Sequence, residues 1–150
     1  MSLVVCGIGE PGYASLLRKL ATALELSGRV KFVDQVEGKE KSRAFWKVDV
    51  CIVPFYTENF SMVAAESLAH VIRVIASRGT PWKELVQSDY GLWVENDPAS
   101  LVQAITEIRN RNLGHMGRNG RQWMQEIFSW EVVAARLHVI YRSLVGEIKD

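Results

Sequence analysis

The chain has 150 residues and a mass of 16.9 kDa, the size of one ordinary domain. Hydrophobic residues make up 48% of it and charged residues 23%, a composition that can bury a core. The formal net charge of +1 gives no bulk field for nucleic acid, so no nucleic-acid partner is expected. No apolar run reaches the ~18 residues of a membrane span, and the N-terminus lacks the basic segment of a signal peptide.

Short apolar strands alternate with helices along the chain. Strands are predicted at Leu3–Cys6, Val30–Val33, Val50–Val53, Val74–Ala76 and Gly91–Val94. Helices are predicted at residues 13–26, 40–47, 61–70 and 82–86, and then at 98–111, 115–128 and 130–145. We expect Gly28 to end the first helix, Ser129 to cap the last one, and Trp130 to anchor in the core.

Apolar strands separated by helices indicate a parallel sheet that is covered on both faces. The predicted fold is therefore an α/β, Rossmann-like domain with helices on both faces of the sheet and a helical C-terminal extension. Ligands bind such sheets beyond the carboxyl ends of the strands. A binding site is therefore expected in the loops that follow Cys6, Val33, Val53 and Ala76.

The cysteines and histidines give no sign of a metal site. Cys6 and Cys51 both lie in apolar, strand-like runs and are expected to be buried free thiols. The histidines, at positions 70, 115 and 138, lack the spacing of zinc ligands. We therefore expect a protein of a reducing compartment, the cytoplasm, without a bound metal.

The first candidate site is the glycine-rich loop of residues 7–12, GIGEPG, between a predicted strand and a helix. Asp34 lies 22 residues beyond Gly12, as in the dinucleotide fingerprint, where glycine amides approach a pyrophosphate and an acid binds a ribose. Pro11 argues against this function because it removes one N–H from the loop. A tight turn into a helix that begins at Pro11 explains the same residues. An NAD-type oxidoreductase domain is one alternative, and its binding residues would be Gly7, Gly9, Gly12 and Asp34.

The second candidate site is the segment of residues 54–66, PFYTENFSMVAAE, with Glu58 in a loop and Glu66 in a helix. Asn59 or Ser61 can cap that helix, whose N-terminal amides would then bind an anion. Glu66 lies ~7 Å along the helix axis from the start of the predicted helix, on a mostly apolar face. In one explanation, Glu58 and Glu66 are ordinary carboxylates in contact with water. In the other, a ligand lies across the helix N-terminus, its phosphate bound by the helix amides and its hydroxyl groups bound by the two carboxylates.

This segment resembles the donor-binding half of retaining GT-B glycosyltransferases, the group 1 family (glycosyltransferase family 4-like). Glu58 and Glu66 match the E-x7-E motif of that family. The likeness extends through the chain, over residues 3–13, 30–36, 49–54, 74–77, 79–81 and 128–130, and includes Tyr141. It implies the C-terminal half of a GT-B fold, with residues 1–150 as a single nucleotide-sugar (donor) binding domain.

The resemblance implies transfer of a hexose from a nucleotide diphosphate sugar to a glycan or lipid-linked acceptor, with retention and without a metal or cofactor. Glu58 would be the catalytic residue and would bind hydroxyls of the hexose. The donor sugar and diphosphate would contact Glu58, Asn59, Phe60, Ser61, Met62 and Val63. The nucleotide would contact Glu66, Asp34, Gln35, Val36, Gly7 and Gly9. The sequence has no D-x-D motif, in agreement with transfer that needs no metal.

The chain also departs from the pattern of the family. It begins at the family's second strand, so the first strand and helix, with their Arg and Lys, and the acceptor-binding N-terminal domain have no counterpart. Because the missing strand is normally central, we expect a gap, re-paired strands, or a homodimer or N-terminal segment that completes the sheet. Val71 and Arg73 stand where the family has Gly and Pro, and Asp34 where it has another Gly.

Two expectations about activity follow from these departures. The isolated chain is predicted to have no transferase activity, because it lacks the cationic pair and the acceptor domain. The family suggests polysaccharide biosynthesis, in the cytoplasm or peripherally at the inner face of the plasma membrane. A non-catalytic assembly domain, whose open strand recruits a partner, is the remaining alternative.

Overall fold

A computed structural model describes residues 1–146 of the chain. Its first half contains β1 (Leu3–Cys6), α1 (Pro11–Ala23), β2 (Val30–Val33), α2 (Gly38–Phe45), β3 (Val50–Val53) and α3 (Met62–Ala69). Its second half contains β4 (Arg73–Ser77), α4 (Glu84–Gln87), β5 (Gly91–Val94), α5 (Pro98–Arg109), α6 (Leu113–Phe128) and α7 (Trp130–Leu144). Every predicted strand and helix is present, with shifts only at the ends.

The chain divides into two compact units, Met1–Ala44 and Phe45–Asp150. In the first unit, β1 and β2 pair in parallel, from Leu3 opposite Val30 to Cys6 opposite Val33. In the second unit, β3, β4 and β5 form a parallel sheet in that order. The predicted α/β class with parallel strands and a helical C-terminal extension is confirmed.

The sheet of the second unit is covered on both faces because successive side chains of its strands point to opposite sides. One layer joins buried side chains of β3, β4, α3, α4 and α6 and of the turn before α4, namely Val53, Ala64, Ala65, Leu68, Val74, Ala76, Trp82, Leu85 and Met124. The other layer joins buried side chains of β4, β5, α5 and α6, namely Ile75, Leu92, Ala104, Ile108 and Met116. Each of the larger aliphatic side chains among them contributes roughly 1.5–3 kcal/mol by leaving water, so the two layers give the loops above them a rigid base.

Two expectations about helix ends have opposite outcomes. Ser129 caps α7 as predicted, because its hydroxyl accepts a hydrogen bond from the backbone N–H of Val132. Gly28 does not end α1, and that prediction is wrong. The helix ends at Ala23, and Glu25 takes up the left-handed conformation, with φ of 57°. A polar residue at this exposed turn has adopted a backbone conformation that usually favours glycine.

Burial differs from expectation at two sites. Trp130 is not a core anchor: 85% of its surface is exposed, and α7 buries none of its side chains within residues 1–146. Cys6 and Cys51 are both free thiols, but Cys6 is exposed and Cys51 is half-buried. The expectation of burial is wrong for Cys6 because every residue of β1 is exposed in this two-stranded pair. Within the described part of the chain, no helix is long and apolar enough to cross a bilayer.

Candidate functional site

The carboxyl edge of the three-stranded sheet brings three loops together. The parallel register places Val53 opposite Ala76 and Ser77 opposite Val94, so β3, β4 and β5 end side by side. The loop of residues 54–61, called here the β3–α3 loop, leaves this edge and leads into α3. This is the edge at which parallel α/β sheets bind ligands.

Two side chains from neighbouring loops fix the start of the β3–α3 loop. The hydroxyl of Ser77, at the end of β4, donates a short hydrogen bond to the backbone oxygen of Phe55. The side-chain amide of Asn96, just beyond β5, donates to the backbone oxygen of Pro54 at 3.0 Å. Sequence reasoning missed both residues, because no motif or spacing distinguishes them from other polar residues after a strand.

Gly79 allows the turn after β4 to lie directly against the β3–α3 loop. A Cβ atom at this position would lie 2.2 Å from the backbone oxygen of Tyr56, a distance that no side chain can tolerate. The backbone N–H of Glu58 donates to the backbone oxygen of Gly79 at 3.0 Å. The loop that carries Glu58 is therefore anchored along its length, and its geometry is set before any ligand arrives.

The carboxylate of Glu58 is held in one orientation by its own loop. Its Oε1 atom accepts hydrogen bonds from the backbone N–H groups of Asn59, at 2.8 Å, and Phe60, at 3.5 Å. Its Oε2 atom has no hydrogen-bond partner within residues 1–146. A carboxylate has several lone pairs, so this second oxygen can accept from hydroxyl groups of a ligand.

The N-terminus of α3 carries backbone donors that the protein does not use. The helix begins at Met62, and within residues 1–146 no acceptor bonds the backbone N–H groups of Met62 and Val63. Such groups, together with the helix dipole, attract anions. The chain therefore places a fixed carboxylate four residues before a helix end whose unused amides suit an anion.

The prediction that Asn59 or Ser61 caps α3 is wrong. Ser61 occupies the N-cap position, but its side chain makes no capping hydrogen bond. A capping serine has an extended backbone, whereas Ser61 is left-handed, with φ of 62° and ψ of 84°, so its hydroxyl is not directed at the first-turn amides. Only 4% of Ser61 is exposed, and its Oγ atom has no hydrogen-bond partner in the described chain.

Glu66 lies one turn into α3 and is half-buried. At 1.5 Å per residue, its Cα lies about 6 Å along the axis from Met62, on the same side of the helix. The backbone oxygen of Glu66 accepts from the ring of His70, whose Nδ1 lies 2.7 Å away. The two carboxylates that the E-x7-E spacing singles out therefore lie on one anchored loop and the helix that follows it.

Aromatic side chains support the loop just before Ser61. The indole N–H of Trp82 donates to the backbone oxygen of Phe60 at 2.5 Å, and the two rings lie 5.2 Å apart. The Phe60 ring also meets the Phe128 ring edge-on, at 5.3 Å. Beside them lies an open groove of about 350 Å³, lined by Phe60, Pro81, Trp82, Glu84, Trp123, Ile127 and Phe128.

In the first unit, the glycine-rich loop and the end of β2 lie together. The backbone N–H of Gly7 donates to the backbone oxygen of Val33 at 3.2 Å. The thiol of Cys6 donates to the backbone oxygen of Asp34 at 3.3 Å. Gly7 has φ of 149°, a conformation that favours glycine, and a Cβ at Gly9 would meet no atom within 4 Å. The loop is therefore open enough for a ligand to approach its backbone.

The remaining predicted site residues of this unit have local contacts or none that bear on a ligand. Helix α1 begins at Pro11, as the structural explanation of the glycine-rich loop predicted. The side-chain amide of Gln35 donates to Glu37 at 2.7 Å, and Val36 is half-buried. Residues 1–146 contain no group of three or more His, Cys, Asp or Glu side chains that could hold a metal ion.

The family model described as "Glycosyl transferases group 1" matches residues 1–123. The chain belongs to this family. The MMP alpha-(1->4)-mannosyltransferase of Mycolicibacterium hassiacum is 28% identical to it over 135 residues, which are 87% of this chain and 33% of that protein. The GDP-mannose-dependent alpha-(1-6)-phosphatidylinositol dimannoside mannosyltransferase of Mycobacterium tuberculosis is 33% identical over 137 residues, which are 90% of this chain and 34% of that protein. This group 1 chain spans about a third of the length of these relatives.

Solved structures share the fold of this group 1 glycosyl transferase. Sucrose-phosphate synthase from Thermosynechococcus elongatus matches with a TM-score of 0.83 at 29% identity, over 98% of this chain and 39% of that one. Anabaena HepE in complex with UDP matches with a TM-score of 0.75 at 18% identity, over 99% of this chain and 41% of that one. The family resemblance and the GT-B type of α/β fold are confirmed, and the oxidoreductase alternative is not favoured.

Proposed function

We propose that this chain is the nucleotide-sugar binding part of a retaining glycosyltransferase, and that residues 1–150 act as one donor-binding domain. The observation that carries the proposal is the carboxylate of Glu58. Two backbone amides fix it through Oε1, Oε2 has no hydrogen-bond partner within residues 1–146, and α3, with its unused first amides, begins four residues later. This arrangement offers an acceptor for sugar hydroxyls next to donors for phosphate oxygens. The relatives named above act on sugars, which agrees with this chemistry.

In the proposed site, the hexose and diphosphate bind along the β3–α3 loop and the start of α3. The carboxylate of Glu58 accepts hydrogen bonds from hydroxyl groups of the hexose and thereby orients the anomeric carbon of the sugar. The amides of residues 60–63 contact the sugar and the diphosphate. Glu66, further along α3, binds the ribose hydroxyls.

The proposed reaction transfers a hexose to a hydroxyl of a glycan or lipid-linked acceptor. The bond from the anomeric carbon to the diphosphate oxygen breaks. The acceptor oxygen attacks the anomeric carbon from the same face and passes its proton to an oxygen of the departing diphosphate. Negative charge grows on the departing nucleoside diphosphate while the sugar gains oxocarbenium character. Backbone amides at a helix N-terminus stabilise that negative charge and need no reorganisation, which is an effective form of catalysis. The proposal requires no metal or cofactor.

A titration with two carboxylate variants tests the proposal. We would measure the calorimetric affinity of the chain for UDP, GDP and ADP, and then for a sugar ester of the nucleotide that binds. Glu58→Gln is expected to weaken the nucleotide sugar about tenfold and to leave the nucleoside diphosphate unchanged, because only the sugar meets Glu58. Glu66→Gln is expected to weaken both ligands, because the ribose is common to them.

Glu126→Gln is the matched control, because Glu126 lies on the exposed surface of α6 and its carboxylate accepts a hydrogen bond from the side-chain amide of Gln122. This variant is expected to bind both ligands as the unmodified chain does. Failure of the unmodified chain to bind any nucleoside diphosphate or nucleotide sugar would contradict the proposal. An equal loss of affinity for the nucleoside diphosphate and the nucleotide sugar in Glu58→Gln would show that Glu58 does not recognise the sugar.

The partners of the reaction belong to the same proposal. The matched relatives are about three times as long as this chain, and we propose that the acceptor binds to a region outside the matched third. The 150-residue chain is then expected to bind the donor without transferring sugar. We place the reaction in the cytoplasm, where a lipid-linked acceptor would be met peripherally at the inner face of the plasma membrane.

A further inference from the structure

Helix α7 carries a stripe of apolar side chains that stays exposed along most of its length. At about 100° per residue, six apolar residues share one side of the helix, and we call them the α7 stripe: Trp130, Val133, Leu137, Ile140, Tyr141 and Leu144. Trp130 is 85% exposed, Leu144 76% and Tyr141 63%, and α7 buries no side chain within residues 1–146. An apolar stripe on a helix normally faces a core, so the exposed stripe requires a partner.

The spacing of the stripe indicates that this partner is another helix. Five of its members lie alternately three and four residues apart, namely Trp130, Val133, Leu137, Ile140 and Leu144. This alternation places apolar residues at the a and d positions of a heptad, the pattern by which helices pack in coiled coils. The charged residues Glu131, Arg136 and Arg142 lie off the stripe, so a second helix can approach without burying a charge.

The exposed area of the stripe matches what a dimer of this chain needs. Trp130 and Tyr141 expose roughly 300 Å² together, since an aromatic side chain offers about 150–250 Å². The aliphatic members add a similar area, so two copies would bury about 1,200 Å² in total, the lower limit for a specific interface. Apolar patches of more than a few hundred Å² are rare on monomeric proteins. An interface of this size predicts association in the micromolar range.

The stripe is complementary to itself when two copies of α7 run antiparallel. In that arrangement the a positions of one helix lie opposite the d positions of the other. Leu137 then lies opposite Ile140 of the second copy, and Val133 lies opposite Leu144 of the second copy. Every one of these layers joins two aliphatic side chains, as an interface between identical surfaces requires.

The residues beside the stripe fit the same arrangement. The bulky side chain of Tyr141 lies next to the small Ala134 of the second copy, and Arg136 lies next to Ser143. No like charges meet on either flank, so electrostatic repulsion does not oppose the association.

We infer that two copies of this chain associate through the α7 stripe, with the two helices antiparallel. The inference goes beyond the proposed function and does not rest on it, because no residue of α7 belongs to the proposed donor site. The dimer buries side chains that a single copy leaves in water.

Sedimentation equilibrium of the 150-residue chain tests the inference. The apparent mass is expected to rise from 16.9 kDa towards twice that value between about 1 and about 200 μM. Leu137→Glu places a charge in the middle of the stripe on both copies and is expected to weaken the dimer at least about tenfold. Because Leu137 is not buried in a single copy, this variant is expected to keep the thermal midpoint of the dilute, unmodified chain.

Val139→Glu is the matched control. Val139 is exposed like Leu137, by 55% against 45%, but it lies about 200° away around the helix and off the stripe. This variant adds the same charge to the same helix, and it is expected to dimerise as the unmodified chain does.

Cross-linking through new cysteines tests the orientation of the two helices. Val133→Cys and Leu144→Cys are each made in a chain that carries Cys6→Ser and Cys51→Ser, and the two variants are mixed and oxidised. The antiparallel arrangement predicts disulfides between the two different variants. Identical positions would lie about 16 Å apart along the axis, too far for a disulfide, so disulfides mainly between identical variants would overturn the arrangement.

Three further results would overturn the inference. The first is a chain that stays at 16.9 kDa over the whole concentration range. The second is a dimer that Leu137→Glu leaves intact, because its interface would then lie elsewhere. The third is a monomer that binds vesicles of phosphatidylcholine and phosphatidylglycerol and loses this binding in Leu137→Glu, which would assign the stripe to a lipid surface. The nucleotide titration decides the proposed function independently of all three.

Discussion

Gly117 of α6 lies directly against the backbone carbonyl of Val71, at the exit of α3. A Cβ atom built at Gly117 would lie 2.2 Å from the oxygen of Val71 and 2.9 Å from its Cγ1 atom. The first of these neighbours is backbone and cannot turn away. The contact sets how closely α6 approaches the helix that carries Glu66 and follows the β3–α3 loop.

Gly117→Ala is therefore expected to lower the free energy of unfolding by about 2 kcal/mol, as overpacking of a close contact does. Urea denaturation would measure the change. Gly114→Ala in the same helix is the control, because a Cβ there meets only side-chain atoms, the nearest at 3.5 Å. Alanine at Gly114 is expected to be neutral or to stabilise by up to about 1 kcal/mol through helix propensity. Equal effects of the two substitutions would contradict the assigned contact.

Val71 itself occupies a strained backbone conformation. Its φ is 67°, in the left-handed region, where a β-branched residue is a real outlier. The family resemblance predicted that Val71 stands in place of a glycine, and the left-handed backbone explains why a glycine suits this position.

A pair of variants separates the strain at Val71 from the packing of its side chain. Val71→Gly and Val71→Ala both remove the branched methyl groups, but only glycine removes the Cβ atom. We expect Val71→Gly to be more stable than Val71→Ala by about 1 kcal/mol, as for other left-handed positions. Thermal denaturation of the two variants would measure the difference. Ordinary helical positions give the reverse order, so a more stable alanine variant would rule out the strain.

The strands and helices could be predicted because each depends on local patterns. The run Val74-Ile75-Ala76 is apolar without interruption, and the structure buries all three residues. The bonds that shape the site join distant residues, such as Ser77 with Phe55, 22 positions apart, and Asn96 with Pro54, 42 positions apart. A pattern along one chain carries no information on which loops meet, so these contacts could not be predicted.

In the candidate site, too, the sequence indicated which residues are present but did not predict their backbone conformation. The spacing of Glu58 and Glu66 pointed to a loop and a helix that the structure places at the sheet edge, and the binding role of the two residues stays a prediction. The conformation of Ser61 could not be predicted, because serine usually caps a helix from an extended backbone. Its left-handed backbone, with φ of 62°, departs from that preference.

Asp97 caps the N-terminus of α5, and the stability that this cap provides depends on pH. Its Oδ2 accepts from the hydroxyl of Ser100 at 2.6 Å, and its Oδ1 from the backbone N–H of Ser100 at 2.9 Å. These bonds, the side-chain one first, lower the pKa of Asp97 below its ordinary value of 3.8. Because the folded pKa is the lower one, the stabilisation is present above pH 3.8 and is lost as the pH falls through the folded pKa.

Asp97→Asn keeps a capping side chain but cannot ionise. We expect the unmodified chain to have the higher Tm near neutral pH, and this advantage is expected to shrink below about pH 4. Thermal denaturation between these pH values would measure it. Ser100→Ala should show a weaker pH dependence than the unmodified chain, since it removes the first of the two bonds. An advantage that stays constant down to pH 3 would contradict the assigned pKa shift.

The two free thiols are expected to react at very different rates in the folded chain. Cys6 is exposed on β1, whereas Cys51 is half-buried in β3. Burial raises the pKa of the Cys51 thiol above its ordinary value of 9.0, and a hydrogen bond with Ser67 opposes this only in part. Less thiolate and less access both slow alkylation. Because the folded pKa is the higher one, this contribution to stability is present below pH 9.0 and is lost as the pH rises above it.

Iodoacetamide at about pH 8, followed by mass spectrometry, would measure the order of alkylation. We expect Cys6 to be labelled in the native chain and Cys51 only after denaturation. Cys6→Ser is the control: it should take up no label when folded and one label in urea. Labelling of Cys51 as fast as Cys6 would mean that β3 opens readily. The sheet edge that carries the β3–α3 loop would then be less rigid than its hydrogen bonds imply.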